Sequence, residues 1–84
     1  MKYTILLSRQ AERFYKKLQE NVKTQVRESL IGLEDQSCAG KRLHGDLKEN
    51  YSLRVGKLRI IYTISEKDKT VYIIAIGPRK TIYQ

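Results

Sequence analysis

Tyr51-Ser52-Leu53-Arg54-Val55-Gly56-Lys57-Leu58-Arg59-Ile60-Ile61-Tyr62 is the stretch whose reading decides the fold. It reads as a tight β-hairpin closed by the two-residue loop Gly56-Lys57. Glycine at the first loop position suits a type II′ turn, whose twist matches that of paired strands. A two-residue loop also fixes the register. Val55 opposes Leu58, Arg54 opposes Arg59, Leu53 opposes Ile60, Ser52 opposes Ile61 and Tyr51 opposes Tyr62. Side chains alternate between the faces of a strand, so Arg54 and Arg59 share one face. Like charges directly opposite each other destabilise a sheet. An anion held between the two guanidinium groups removes that penalty, so the pair points to function rather than to folding.

Outward from the hairpin, the chain reads as β-α-α-β-β-β. Residues 3–7 form a first strand. Ser8 is placed to cap a helix whose apolar positions are Ala11, Phe14, Tyr15 and Leu18. Asn21 is read as the cap of a second helix with the stripe Val22, Val26, Leu30 and Leu33, making an antiparallel helical hairpin. Gly32 weakens the end of that stripe. Residues 35–50 read as a polar loop punctuated by Gly40 and Gly45 and pinned by Leu43 and Leu47. Strands follow at 51–55, 58–64 and 70–77. The last is apolar on both faces, which suits a central or doubly covered strand, and Gly77-Pro78 ends it. The expected fold class is α+β, a largely antiparallel meander sheet with a helical hairpin packed on one face.

At 84 residues the chain is expected to make one domain, 1–84. The single cysteine, Cys38, cannot form an internal disulfide, and lone His44 offers no metal-ligand spacing, so a metal-free intracellular protein without a cofactor is expected. The N-terminal apolar run is too short for a signal peptide or a membrane span. The formal charge is +8. Residues 1–36 carry seven basic and five acidic side chains, whereas residues 37–84 carry ten basic and four acidic. The excess therefore sits in the half that holds the hairpin, and a basic surface on a small domain most often meets nucleic acid. A merely soluble, lysine-rich surface is the bland alternative.

The candidate chemistry gathers around the arginines. Arg54 and Arg59 share a face, and Arg79 leaves the last strand just after Gly77-Pro78. Guanidinium groups grip phosphate bidentately, and three of them around one pocket would stabilise the extra charge of a five-coordinate phosphorus. The competing reading pairs them with Glu49, Glu66 or Asp68 as structural ion pairs. Tyr83, four residues after Arg79, suits base stacking or proton transfer, although a terminal tyrosine also frays. Tyr3, Tyr15, Tyr51, Tyr62 and Tyr72 read as packing residues. Lys41, Arg42, Lys48, Lys57 and Lys80 read as phosphate contacts, or as solvated charges, and Ser52 as a hydrogen-bonding group on the arginine face. Ser52 has no partner base and is not a nucleophile. His44 reads as a surface histidine. There is no phosphate-cradling GxxxxGKS-type loop and no convincing pair of carboxylates, which sets aside nucleotide hydrolysis and glycosidase chemistry.

The whole chain resembles the RelE/ParE toxin superfamily. The likeness rests on Leu43-His44-Gly45, Tyr51 to Gly56, Arg59-Ile60-Ile61-Tyr62 and the closing Ile76-Gly77-Pro78-Arg79, taken in order and spacing. Within it the chain looks like the RelE branch, a type II toxin. The resemblance implies a cytoplasmic, metal-independent mRNA interferase that acts in the A site of the small ribosomal subunit. There the ribose 2′-hydroxyl attacks the adjacent phosphate. It implies catalytic roles for Arg54, Arg59, Arg79 and Tyr83. The RelE pattern often has a lysine where this chain has Ser52. Lys48, Lys57 or Tyr83 then remain as proton acceptors, or positioning and charge stabilisation dominate. It also implies a RelB-like antitoxin partner in a hetero-oligomeric complex that covers the basic surface. A ParE-like inhibitor of DNA gyrase and a non-enzymatic RNA- or ribosome-binding module are the alternatives on the same fold.

Overall fold

A computed structural model describes residues 2–35, 41–42 and 50–78. In chain order these residues form β1 (Thr4–Leu7), α1 (Arg9–Lys16), α2 (Glu20–Asp35), β2 (Lys41–Arg42), β3 (Asn50–Val55), β4 (Leu58–Ser65) and β5 (Thr70–Pro78). The sheet order is β1-β5-β4-β3-β2. β1 runs parallel to β5, and every other pair is antiparallel. The expected α+β meander with two helices on one face is thus present. It has one addition, β2, which pairs Lys41 with Ser52 and Arg42 with Tyr51 inside the segment read as loop. Two residues are too short to show a strand period, so no hydrophobic pattern announces it.

Local chemistry explains the helix starts. Ser8 has extended backbone angles, and its Oγ accepts from the Ala11 N–H at 3.1 Å, capping α1 as expected. The second cap differs from expectation. The Lys23 N–H donates to the Gln19 carbonyl at 2.7 Å, so α2 begins at Glu20 and Asn21 lies inside its first turn. A helix starts where its first carbonyl is free to accept, and the break after α1 is two residues shorter than a cap at Asn21 requires.

The helices cover one face of the sheet. Ala11, Val26, Leu30 and Leu33 pack with Val55, Ile60, Tyr62, Val71, Ile73 and Ile76 in one buried cluster, with Val22, Phe14, Tyr15 and Leu18 partly buried against it. The α2 stripe read from the sequence is this contact. Tyr51 stacks on Tyr62 with ring centroids 5.3 Å apart and planes 12° apart, as their cross-strand pairing places them.

β5 is central, between β1 and β4, but its apolar run is not covered on both faces. Tyr72 and Ile74 are each 39% exposed, and Leu6, which pairs with Tyr72, is 48% exposed. Tyr72 is therefore not the packing residue that its strand position suggested. A register shift lies between Ile61, which pairs with Ala75, and Tyr62, which pairs with Ile73. Ile74 is the extra residue of this bulge, which is why consecutive apolar residues do not alternate cleanly between faces.

Candidate nucleic-acid interface

The hairpin folds as its loop dictates. Gly56 has φ +58°, and Lys57 does not share a positive φ, which is the pattern of a type II′ turn. The pairing is the expected one throughout: Tyr51 with Tyr62, Ser52 with Ile61, Leu53 with Ile60, Arg54 with Arg59 and Val55 with Leu58. Leu53, Val55, Leu58 and Ile60 turn towards the helices and the core. By alternation Ser52, Arg54, Arg59 and Ile61 share the opposite face, which the helices leave open.

The members of this face differ in depth. Arg54 is exposed, Arg59 is half-buried with its Nε shielded from solvent, and Ser52 is only 8% exposed. Ser52 thus forms part of the floor beside two guanidinium groups. Arg59 lies opposite Gly77 on its other side, so β5 presents no side chain there. Arg54 makes no ion pair among the described residues. Glu66 and Asp68 are occupied at the far end of β4. Glu66 accepts from the Tyr3 hydroxyl at 2.6 Å and pairs with Lys69 at 3.6 Å, and Asp68 bonds Ser65 at 3.2 Å. The competing reading of Glu66 and Asp68 as partners of the hairpin arginines therefore fails on distance along the strand.

Lys57 is exposed in the turn between β3 and β4, where it lines a shallow groove with Leu18, Val22 and Leu58 on the helix side. Lys41 and Arg42 lie on β2, in register with Ser52 and Tyr51. Arg79, Tyr83, Lys48 and Lys80 lie outside the described residues, as do His44, Cys38, Leu43, Leu47 and Glu49. Pro78 is the last described residue of β5, one position before Arg79. Two contributors to this end of the sheet went unread in the sequence. Gly77 leaves the space beside Arg59, and Gln10 holds the neighbouring Ile76. The first is legible once β4 and β5 are paired. A glutamine in the first turn of a helix carries no such signal. Among the described residues no group of three or more His, Cys, Asp or Glu side chains forms a metal site, and no helix is long and apolar enough to cross a membrane.

Both the sequence and the fold are matched in known proteins. The family model for the ParE toxin of the type II toxin–antitoxin system parDE matches residues 5–83. The chain belongs to this ParE toxin family. Among solved structures the toxin is similar to a chain of the RelBE2 toxin–antitoxin complex of Mycobacterium tuberculosis. The two share 28% identity with a TM-score of 0.85, over 94% of this chain and 100% of that one. It also resembles a chain of the archaeal RelE–RelB complex of Pyrococcus horikoshii, at 24% identity and TM-score 0.83, over 96% and 99%. The YoeB dimer of Staphylococcus aureus gives 27% identity and TM-score 0.70, over 89% and 94%. No curated protein sequence matches the toxin. The expected RelE-type toxin of the RelE/ParE superfamily is thereby borne out.

Proposed function

We propose that this toxin, a single domain spanning 1–84, is a cytoplasmic, ribosome-dependent endoribonuclease that cleaves mRNA in the A site and so stops translation. One observation carries the reading: Arg54 faces Arg59 on the side of the sheet away from the helices, with Gly77 beside Arg59. Two like charges held in register are a standing cost to the sheet, which a phosphate group between them offsets. In the reaction the ribose 2′-oxygen attacks the adjacent phosphorus, and its proton passes to a base. The bond to the 5′-oxygen then breaks as that oxygen takes up a proton. The products are a 2′,3′-cyclic phosphate and a 5′-hydroxyl. Arg54, Arg59 and Arg79 stabilise the charge of the five-coordinate intermediate. Tyr83 stacks a base or moves a proton. Lys48, Lys57 and Tyr83 remain the candidate proton acceptors, and Lys57 is exposed in the turn that joins the two arginine strands. Lys41, Arg42, Lys48, Ser52, Lys57 and Lys80 hold the RNA backbone. The chemistry requires neither metal nor cofactor.

The complexes formed by the RelBE2 and archaeal RelE toxins support a partner of the same kind, a RelB-like antitoxin that covers the basic face in a hetero-oligomeric complex. One observation favours a second reading, inhibition of DNA gyrase: the matching family model is that of the ParE toxins. A gyrase inhibitor has no need of a phosphate-gripping arginine pair, which is why the nuclease is preferred. Inducing the wild type and the Arg59→Ala/Arg79→Ala variant in cells, then mapping mRNA 5′ ends, separates the two. The nuclease reading expects cuts inside A-site codons with the wild type alone. Growth arrest with intact messages and DNA breaks would support the gyrase reading. Ribosome binding without cuts would support a non-enzymatic binding module.

A further inference from the structure

β1 pairs with β5 only as far as Leu7 opposite Ile73, after which the chain turns into α1. β5 continues to Pro78, so among the described residues its last positions have no neighbouring strand on that side. Ser8, the cap of α1, and Gln10 in its first turn take the strand's place. The Ser8 N–H donates to the Ile73 carbonyl at 2.8 Å, and the Ser8 hydroxyl donates to the Ile74 carbonyl at 2.6 Å. Gln10 then goes further. Its Nε2 donates to the Ile76 carbonyl at 3.1 Å, and the Ile76 N–H donates to its Oε1 at 3.1 Å. One side-chain amide thus makes both hydrogen bonds that a paired strand residue would make. Backbone groups alternate in direction along a strand. With Ile76 held by Gln10, Gly77 turns its N–H and carbonyl towards β4, where it lies opposite Arg59.

We infer that Gln10 is a positioning residue for the arginine face. It holds the end of β5 so that Gly77 stays against Arg59 and the chain sets out towards Arg79 from a fixed point. The inference rests on the nuclease reading for its effect on rate, but its geometric part does not. Reactions that depend on positioned charge are sensitive to displacements of about 1 Å, which cost up to roughly 100-fold in rate. Gln10 is itself exposed, so replacing it removes little packing. Alanine also suits the first turn of a helix.

The test uses the purified full chain with Gln10→Ala and Gln10→Glu. The second variant keeps an acceptor for the Ile76 N–H and loses the donor to its carbonyl. On ribosomes programmed with message, Gln10→Ala is expected to lower kcat by about tenfold or more and to leave KM within about twofold. Gln10→Glu is expected to fall between it and the wild type. In parallel, NMR follows amide exchange at Ile76 and Gly77 and the resonance of the shielded Arg59 Nε–H. Faster exchange and a shifted Arg59 signal in Gln10→Ala are expected. Unchanged kcat, or a rise in KM alone, overturns the inference even where exchange at Ile76 quickens, because Gln10 then only closes a strand edge. If the wild type cuts nothing, the nuclease reading fails and the NMR result decides the geometric part. A shifted Arg59 signal upholds it, and an unmoved one overturns it.

Discussion

Arg54 and Arg59 are cross-strand partners on the face of the sheet that the helices leave open, and a two-residue turn holds them there. The register cannot relax without moving Leu53, Val55, Leu58 and Ile60 off the core face, because a one-residue slip exchanges the faces. The core therefore enforces the juxtaposition of like charges. Function and stability should part company at this pair. Arg54→Thr is expected to leave stability unchanged or raise it by up to about 0.5 kcal/mol. The same change should lower the cleavage rate on programmed ribosomes by about 100-fold or more. Denaturant unfolding and single-turnover cleavage on the same preparations check both halves.

Binding should report the same charges through salt. A phosphate contact to single-stranded RNA contributes roughly 0.7 to the slope of log K against log salt concentration. Arg54→Ala is expected to reduce that slope by about one such increment, and Arg54→Ala/Lys57→Ala by about two. Titration of a short RNA at several salt concentrations measures it.

Gly56 and Gly32 should respond in opposite directions to alanine. Gly56 has φ +58°, where a side chain costs about 1–2 kcal/mol, so Gly56→Ala should destabilise the hairpin by that amount. Gly32 lies in α2, and a Cβ added there meets nothing within 4 Å. Gly32→Ala should therefore stabilise the protein by about 0.5–1 kcal/mol. Thermal unfolding of the two variants gives the comparison directly.

The Tyr51–Tyr62 stack ties β3 to β4 at the end of the hairpin away from the turn. Tyr62 is fully buried, so Tyr62→Ala should cost about 3–5 kcal/mol. A double-mutant cycle with Tyr51→Leu and Tyr62→Leu should return a coupling of about 0.5–1.5 kcal/mol. A coupling near zero would mean that the two rings contribute only as separate buried areas.

What was legible in the sequence follows from how tightly short-range rules bind. Two loop residues between apolar runs leave one register, so the placement of Arg54 against Arg59 could be read before any coordinates. The stripe Val22, Val26, Leu30 and Leu33 gave α2 for the same kind of reason, a period that only one face satisfies. Other features depend on partners far along the chain. β2 exists because Lys41 and Arg42 meet β3, and Tyr72 is exposed because neither α1 nor α2 lies over its face of β5. The bulge at Ile74 and the amide of Gln10 on Ile76 are likewise properties of strand ends and neighbours, which no local pattern encodes.

The central claim is that this arginine face promotes attack by a ribose 2′-hydroxyl on the adjacent phosphate of an A-site message. It is tested most directly on ribosomes programmed with two messages that differ at one sugar, the ribose immediately 5′ of the scissile phosphate. With the wild-type toxin the all-ribose message should be cut to a 2′,3′-cyclic phosphate and a 5′-hydroxyl, and the message with a 2′-deoxy sugar at that position should stay intact. Cleavage of the deoxy-substituted message at the same phosphate, or an uncut all-ribose message, would contradict the account.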